Sequence, residues 1–119
     1  MDKQNSFGKC PYFTSQKLLT GKWSLLIMHF LDGKILRFNE LEKLLNPISQ
    51  ATLTKQLRLL EGNGLIKRKV YNQIPPRVEY SLSDIGNDFK PVLNSLEAWG
   101  NKYIAHIKKN QKTLLNSHV

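Results

Sequence analysis

Between Ser49 and Leu82 the apolar residues change their period from helical to alternating, with only Gly62-Asn63-Gly64 separating the two patterns. Leu53, Leu57 and Leu60 recur at four- and three-residue spacing and make one narrow stripe on a helix. Ser49 precedes them as an N-cap whose hydroxyl can accept from the first-turn amides. Ile48 and Leu53 stand at the spacing of a hydrophobic staple. Beyond the glycines, Leu65–Tyr71 and Arg77–Leu82 are rich in strand formers, and Val78, Tyr80 and Leu82 alternate with Glu79 and Ser81. The intervening Asn72-Gln73-Ile74-Pro75-Pro76 is a stiff turn that cannot be helix, so the two runs are expected to form a hairpin.

Upstream, Gly21, Asp32-Gly33 and Asn46-Pro47 cut the chain into short pieces. Thr14–Thr20 reads as a short helix and Lys22–Leu31 as a second, with Trp23, Leu26, Ile27 and Phe30 on its apolar face and His29 packed within the run. Asn39–Leu45 reads as a third, with Asn39 and Glu42 as a capping box and Leu41, Leu44 and Leu45 facing the core. A long helix is expected from about Ser83, where Pro91 marks either a kink or a late true start. This order predicts a mainly α chain with a small β-hairpin, a winged helix-turn-helix. The 119 residues fit one such domain over 1–119, with about 84–112 as a C-terminal dimerisation helix.

Charge narrows the partners. Eighteen Lys and Arg against nine Asp and Glu leave a formal net charge of +9. Such a surplus disfavours the compact state and suits a polyanionic partner: nucleic acid, an anionic membrane surface or an acidic protein. No apolar run approaches the ~20 residues of a bilayer span; the longest, Trp23–Leu31, is interrupted by Ser24 and His29. Met1–Lys9 has no signal-peptide pattern, so a cytoplasmic location and no membrane partner are expected. The single cysteine, Cys10, excludes an internal disulfide. His29, His106 and His118 are scattered, so no metal and no cofactor are expected. No nucleophile–base pair, carboxylate pair or phosphate-cradling glycine loop points to an enzyme.

On the Ser49 helix, Ala51, Lys55 and Arg58 lie opposite the leucine stripe, with Thr52 and Gln56 on a flank and Gln50 in the first turn. These types suit base edges: Gln for adenine, Lys and Arg for guanine, Ala and Thr for the thymine methyl. Taken alone, they read more readily as a solvated helix face. From Lys55 to Arg77, however, six basic residues face one acid, Glu61. Lys69 on the hairpin and Arg77 beside the rigid Pro75-Pro76 turn are placed to meet phosphates or a minor groove. The basic tail Lys102–Lys112 reads as a solvated helix face. Double-stranded DNA is therefore the expected partner, and a protein- or RNA-interaction module is the competing reading.

The last helix carries more apolar residues than one side of a small domain needs. Trp99, Tyr103, Ile104 and Ile107, with Leu96, are expected at a homodimer interface, and the competing reading is that the first helix of the same chain covers this face. Cys10 lies beside Lys9 and ahead of the first helix, and a neighbouring cation and a helix N-terminus both make a thiol more reactive. It reads either as an electrophile- or oxidant-sensing residue or as an inert small hydrophobe.

The chain resembles the HxlR family of bacterial transcriptional regulators, relatives of the MarR-type winged helices. The resemblance runs through Cys10-Pro11, Gly21-Lys-Trp, Arg37-Phe-Asn-Glu-Leu41, Ile48-Ser-Gln, Leu53-Thr-Lys-Gln-Leu-Arg-Leu-Leu-Glu61, Gly64-Leu-Ile, Pro75-Pro-Arg-Val-Glu-Tyr-Ser-Leu82, Gly86 and Trp99-Gly100. It implies a homodimer joined through the first and last helices, which brings in Leu18, and operator binding by the Ser49 helix and the Arg77 wing, Arg37 lying in a matching stretch. It also implies a sensing role at Cys10, through alkylation, a mixed disulfide or a bridge between subunits.

Overall fold

The computed structural model describes residues 6–19 and 21–117. In chain order it contains α1 (Pro11–Leu18), α2 (Ser24–Leu31), β1 (Leu36–Arg37), α3 (Phe38–Leu44), α4 (Gln50–Gly62), β2 (Ile66–Tyr71), β3 (Arg77–Leu82), α5 (Asp84–Asn87) and α6 (Lys90–Ser117). It divides into two compact units, one ending at Asp88 and one beginning at Phe89.

The first unit is a helix-turn-helix, α3 and α4, followed by a hairpin. Its core takes Ile27, Met28 and Leu31 from α2, Leu41 and Leu45 from the α3 end, and Leu53, Leu57 and Leu60 from α4. Leu65, Ile66 and Leu82 complete it from the sheet side. The expected leucine stripe of α4 is thus the buried one. Ser49 caps α4, its Oγ accepting from the Thr52 amide at 3.1 Å. Ile48 and Leu53 are both buried, as a staple requires.

The exit from α4 shows why Gly64 follows it. The Leu65 amide donates to the Leu60 carbonyl and the Gly64 amide to the Glu61 carbonyl, both at 2.9 Å. This is a Schellman closure, and Gly64 takes its left-handed position at φ 77°. Leu65 is pulled inward beside Leu60, so the chain enters β2 already facing the core. At the other end of the hairpin, the Ser83 amide donates to the Leu65 carbonyl at 3.0 Å and its hydroxyl to the Gly64 carbonyl. A Cβ on Gly86 would overlap that Leu65 carbonyl oxygen, so only glycine lets α5 pack there.

Several local expectations change. The first helix begins at Pro11, with Cys10 as its N-cap, rather than at Thr14; Thr20 lies outside the described residues. The second begins at Ser24 rather than Lys22. Its buried face is Ser24, Ile27, Met28 and Leu31, while Leu26 is exposed, Trp23 and Phe30 are half-buried, and His29 is exposed with its ring 5.0 Å from Phe30. α2 is apolar almost all round, so periodicity could not choose its face. The third helix begins at Phe38, and Glu40 Oε1 accepts from the Arg37 amide at 2.9 Å, displacing the Asn39–Glu42 box. Leu44 points to solvent. The expected helix from Ser83 is two elements, with Pro91 in the first turn of the second, which is the late start.

The sheet has a third strand that no local pattern announced. β1 adds to the hairpin in the antiparallel order β1-β3-β2. It is two residues long, so alternation had nothing to act on. The second unit is α6, which exposes Leu96, Trp99, Tyr103, Ile104 and Ile107. Trp99 and Tyr103 stack with ring centroids 5.5 Å apart, one helical turn separated.

Candidate nucleic-acid interface

The polar face of α4 is built by the burial of its opposite side. With Leu53, Leu57 and Leu60 turned inward, Gln50, Ala51, Lys55 and Arg58 are exposed. Thr52 is half-buried, and its hydroxyl accepts from Ser49 Oγ at 2.8 Å. Ser49 is thereby committed to the cap, and its side chain positions the first turn. Gln56 departs from the expected face: its Oε1 accepts from Ser24 Oγ at 3.4 Å, which turns it toward α2. Thr54 was not anticipated. It lines a cleft beside the sheet with Phe38, Leu57, Arg58, Arg68 and Tyr80. Its helical offset of four from Gln50 puts both on the flank facing the wing.

The ladder sorts the hairpin's charges onto two faces. Arg68 lies opposite Tyr80 and Leu36, on the side toward α4, and its Nε is 3.4 Å from Glu61 Oε2. This ion pair fastens the hairpin to α4, although both groups are substantially exposed and an exposed pair contributes at most about 1 kcal/mol. Tyr80 is partly buried there, and burial is the main cause that raises its phenol above the ordinary value. Glu61 adds to that rise, while Arg68 and Arg58 oppose it. The phenol is neutral at physiological pH.

On the opposite face one row crosses all three strands: Arg37, Glu79 and Lys69. Arg77 joins them, with Nε 3.7 Å from Glu79 Oε2. Three cations around one carboxylate leave this face positive. Arg77 also lays its guanidinium over the Tyr71 ring, 4.1 Å from the centroid, while Lys69 Nζ stands 4.9 Å from the same ring. Arg77 Nε is buried with no hydrogen-bond acceptor. Arg77 is thus held at the strand start by an aromatic face and a carboxylate. Its direction is preset, which lowers the ordering cost of a later contact.

Cys10 is half-buried at the N-cap of α1; its amide donates to the Ser6 carbonyl and its carbonyl accepts from the Thr14 amide. Leu18 is half-buried at the end of α1. Leu96, Trp99, Tyr103 and Ile107 share one face of α6 at spacings of three and four. Among the described residues no cluster of His, Cys, Asp and Glu could hold a metal ion, and no helix is long and apolar enough to cross a membrane. His118 lies outside the described residues.

Residues 18–108 match the HxlR-like helix-turn-helix family. The chain is 46% identical over 106 residues to the HTH-type transcriptional regulator YdeP of Bacillus subtilis (strain 168), covering 88% of this chain and 82% of that protein. A solved MarR-family transcriptional regulator from Porphyromonas gingivalis W83 superposes with a TM-score of 0.74 at 39% identity, covering 77% of this chain and 90% of that one. The redox regulator HypR in its reduced form superposes with a TM-score of 0.79 at 33% identity, covering 83% and 98%.

Proposed function

The chain belongs to the HxlR-like helix-turn-helix family of transcriptional regulators, and on that premise we propose that it binds a two-fold operator in double-stranded DNA as a homodimer. It is a regulator with a helix-turn-helix DNA-binding fold, as its relatives are, and not an enzyme. The observation that carries the operator reading is the separation of faces on α4. The apolar side is consumed by the core, and the side left in solvent holds Gln50, Ala51, Lys55 and Arg58. Gln50 and Ala51 enter the major groove with the first turn, while Lys55 and Arg58 follow it. Arg37, Lys69 and Arg77 meet the backbone, and Thr52 serves through its capping contact. Gln56 is left out of the base-reading set.

A genome-wide duplex selection tests this. An enriched sequence with two-fold symmetry, and affinity that falls by decades between low and moderate salt, is the expected result. Binding to RNA or protein with no duplex preference would move the function to an interaction module. Replacing Arg77 with Ala is expected to weaken all duplexes together by about 1.5–3 kcal/mol, with the salt slope reduced by about 1. Anisotropy against operator and scrambled duplex checks it; full affinity in the variant removes the wing from the interface.

The dimer reading is supported by α6, where Trp99 is 63% and Tyr103 50% exposed on one face with Leu96 and Ile107. Leu18 is assigned to the same interface. Two protomers so joined would place their recognition helices about 34 Å apart, one turn of DNA. Trp99→Glu is expected to convert the dimer to monomer, since a buried interface tryptophan contributes about 2 kcal/mol or more. Light scattering reads the mass; an unchanged dimer would place the interface elsewhere.

Cys10 is proposed as the signal-receiving residue, acting through alkylation, a mixed disulfide or a bridge to the partner's copy. Its half-buried position at the head of α1 and the likeness to HypR, a redox regulator, support this. Cys10→Ser is expected to keep operator affinity within twofold and to abolish release of DNA by diamide or quinone. Release that persists in the variant makes Cys10 structural and the protein redox-insensitive at that position.

A further inference from the structure

We propose that the cleft between α4 and the sheet is a clamp for one backbone phosphate of duplex DNA, held by Thr54, Arg68 and Tyr80. The clamp rests on the operator-binding reading and adds three contacts to it. A helix seated in the major groove has a sugar–phosphate backbone on either side of it, and the one on the hairpin side passes between α4 and the sheet. Side chains that stand in that gap face phosphate.

The cleft occupies the gap. Thr54 and Arg58 of α4 line it together with Arg68 of β2 and Tyr80 of β3. Gln50, Thr54 and Arg58 follow one another at four-residue spacing, so the cleft continues the flank that begins in the first turn of α4. Its volume of about 200 Å³ has room for a phosphate group and a few waters at ~30 Å³ per water. Phe38 and Leu57 give it an apolar lining, which strengthens a charged contact made there.

Three donors converge on this space. Arg68 is paired with Glu61 through Nε, at 3.4 Å. The guanidinium's other donors are on its terminal nitrogens, the pair of groups that grips a phosphate. Tyr80 lies opposite Arg68 in the ladder. Its phenol, raised by burial, keeps its proton at physiological pH and is a donor to an anion. Arg58, Arg68 and Glu61 all act on that phenol electrostatically, so the four groups share one small volume. Among the described residues no hydrogen bond engages the Thr54 or the Tyr80 hydroxyl, and the lining carries two guanidiniums against one carboxylate.

The competing role for Arg68 is to fasten the hairpin to α4 through Glu61 and nothing more. The two roles differ in sign at Glu61. A fastener loses the same amount whichever partner is removed. A clamp loses at Arg68, and it does not lose when the carboxylate beside the phosphate is neutralised.

A scrambled-sequence duplex is the probe, because a phosphate contact is independent of sequence, with anisotropy read over a range of salt. Arg68→Ala is expected to weaken binding about fivefold or more and to reduce the salt slope by about 1. Tyr80→Phe and Thr54→Val each remove a hydroxyl and keep the shape; each is expected to weaken binding about threefold with the slope unchanged. Glu61→Gln is expected to hold or tighten affinity. Full affinity in both Arg68→Ala and Tyr80→Phe overturns the clamp, as does a loss in Glu61→Gln equal to that in Arg68→Ala. If Arg68→Ala melts below the wild type, Tyr80→Phe and Glu61→Gln decide in its place. Clamp variants that keep full affinity, beside a Lys55→Ala/Arg58→Ala protein that loses the selected duplex, overturn the clamp and leave the operator reading standing. A wild-type chain that binds no duplex removes both.

Discussion

A protein carrying both Lys55→Ala and Arg58→Ala is expected to fold as the wild type does and to lose specific duplex affinity by at least thirtyfold. Both side chains are exposed on α4, opposite the buried leucines. Exposed substitutions of this kind change stability by about 0.5 kcal/mol or less. A base-edge contact contributes about 1–3 kcal/mol, so two together give about 2–6 kcal/mol. Affinity for scrambled duplex should fall less, because that binding is set by phosphate contacts, which we propose for Arg37, Lys69 and Arg77 and which this variant keeps. Anisotropy on both duplexes at two salt concentrations separates these contributions. Equal losses on the two duplexes would make Lys55 and Arg58 phosphate contacts, and the base-reading role would pass to the first turn, Gln50 and Ala51.

The largest effect on stability is expected on the buried face of the same helix. Leu53 is 0% exposed and Leu59 52%. Leu53→Ala leaves a cavity under the recognition helix and should cost about 2–5 kcal/mol. For a unit of this size that lowers the melting temperature by roughly 8 °C or more. Leu59→Ala makes the same change in helix propensity without the cavity and should cost about 1 kcal/mol or less. Thermal unfolding of the pair tests the orientation of α4 directly. A larger loss at Leu59 would mean that the helix is rotated and that Lys55 and Arg58 point elsewhere.

The two variants are linked by one fact. The stripe that anchors α4 and the face that it offers to a partner are determined by the same rotation of the helix. That rotation was legible because α4 mixes leucines with polar residues at clean spacing. α2 shows the opposite case. Its Ser-Leu-Leu-Ile-Met-His-Phe-Leu run is apolar almost throughout, so the choice of Ile27, Met28 and Leu31 over Leu26 was left to packing. Gln56 was ambiguous for a related reason. A glutamine on a helix flank is suited to a groove and to a neighbouring hydroxyl alike, and only the position of Ser24 decides between them.

By itself the sequence determined the helix-turn-helix, the hairpin and the positive charge between Lys55 and Arg77, because each rests on spacing, turn residues or charge within a short stretch. Tertiary structure decided everything that depends on residues far apart in the chain. β1 is stable only because β3 lies beside it. Glu79 sits among Arg37, Lys69 and Arg77 only because three strands align there. Arg77 gains its orientation from Tyr71, a partner across the hairpin rather than a neighbour in sequence. Local preferences are summed over a few residues and can be read along the chain. Register, rotation and charge pairing are set by contacts between segments, and those exist only once the chain has closed on itself.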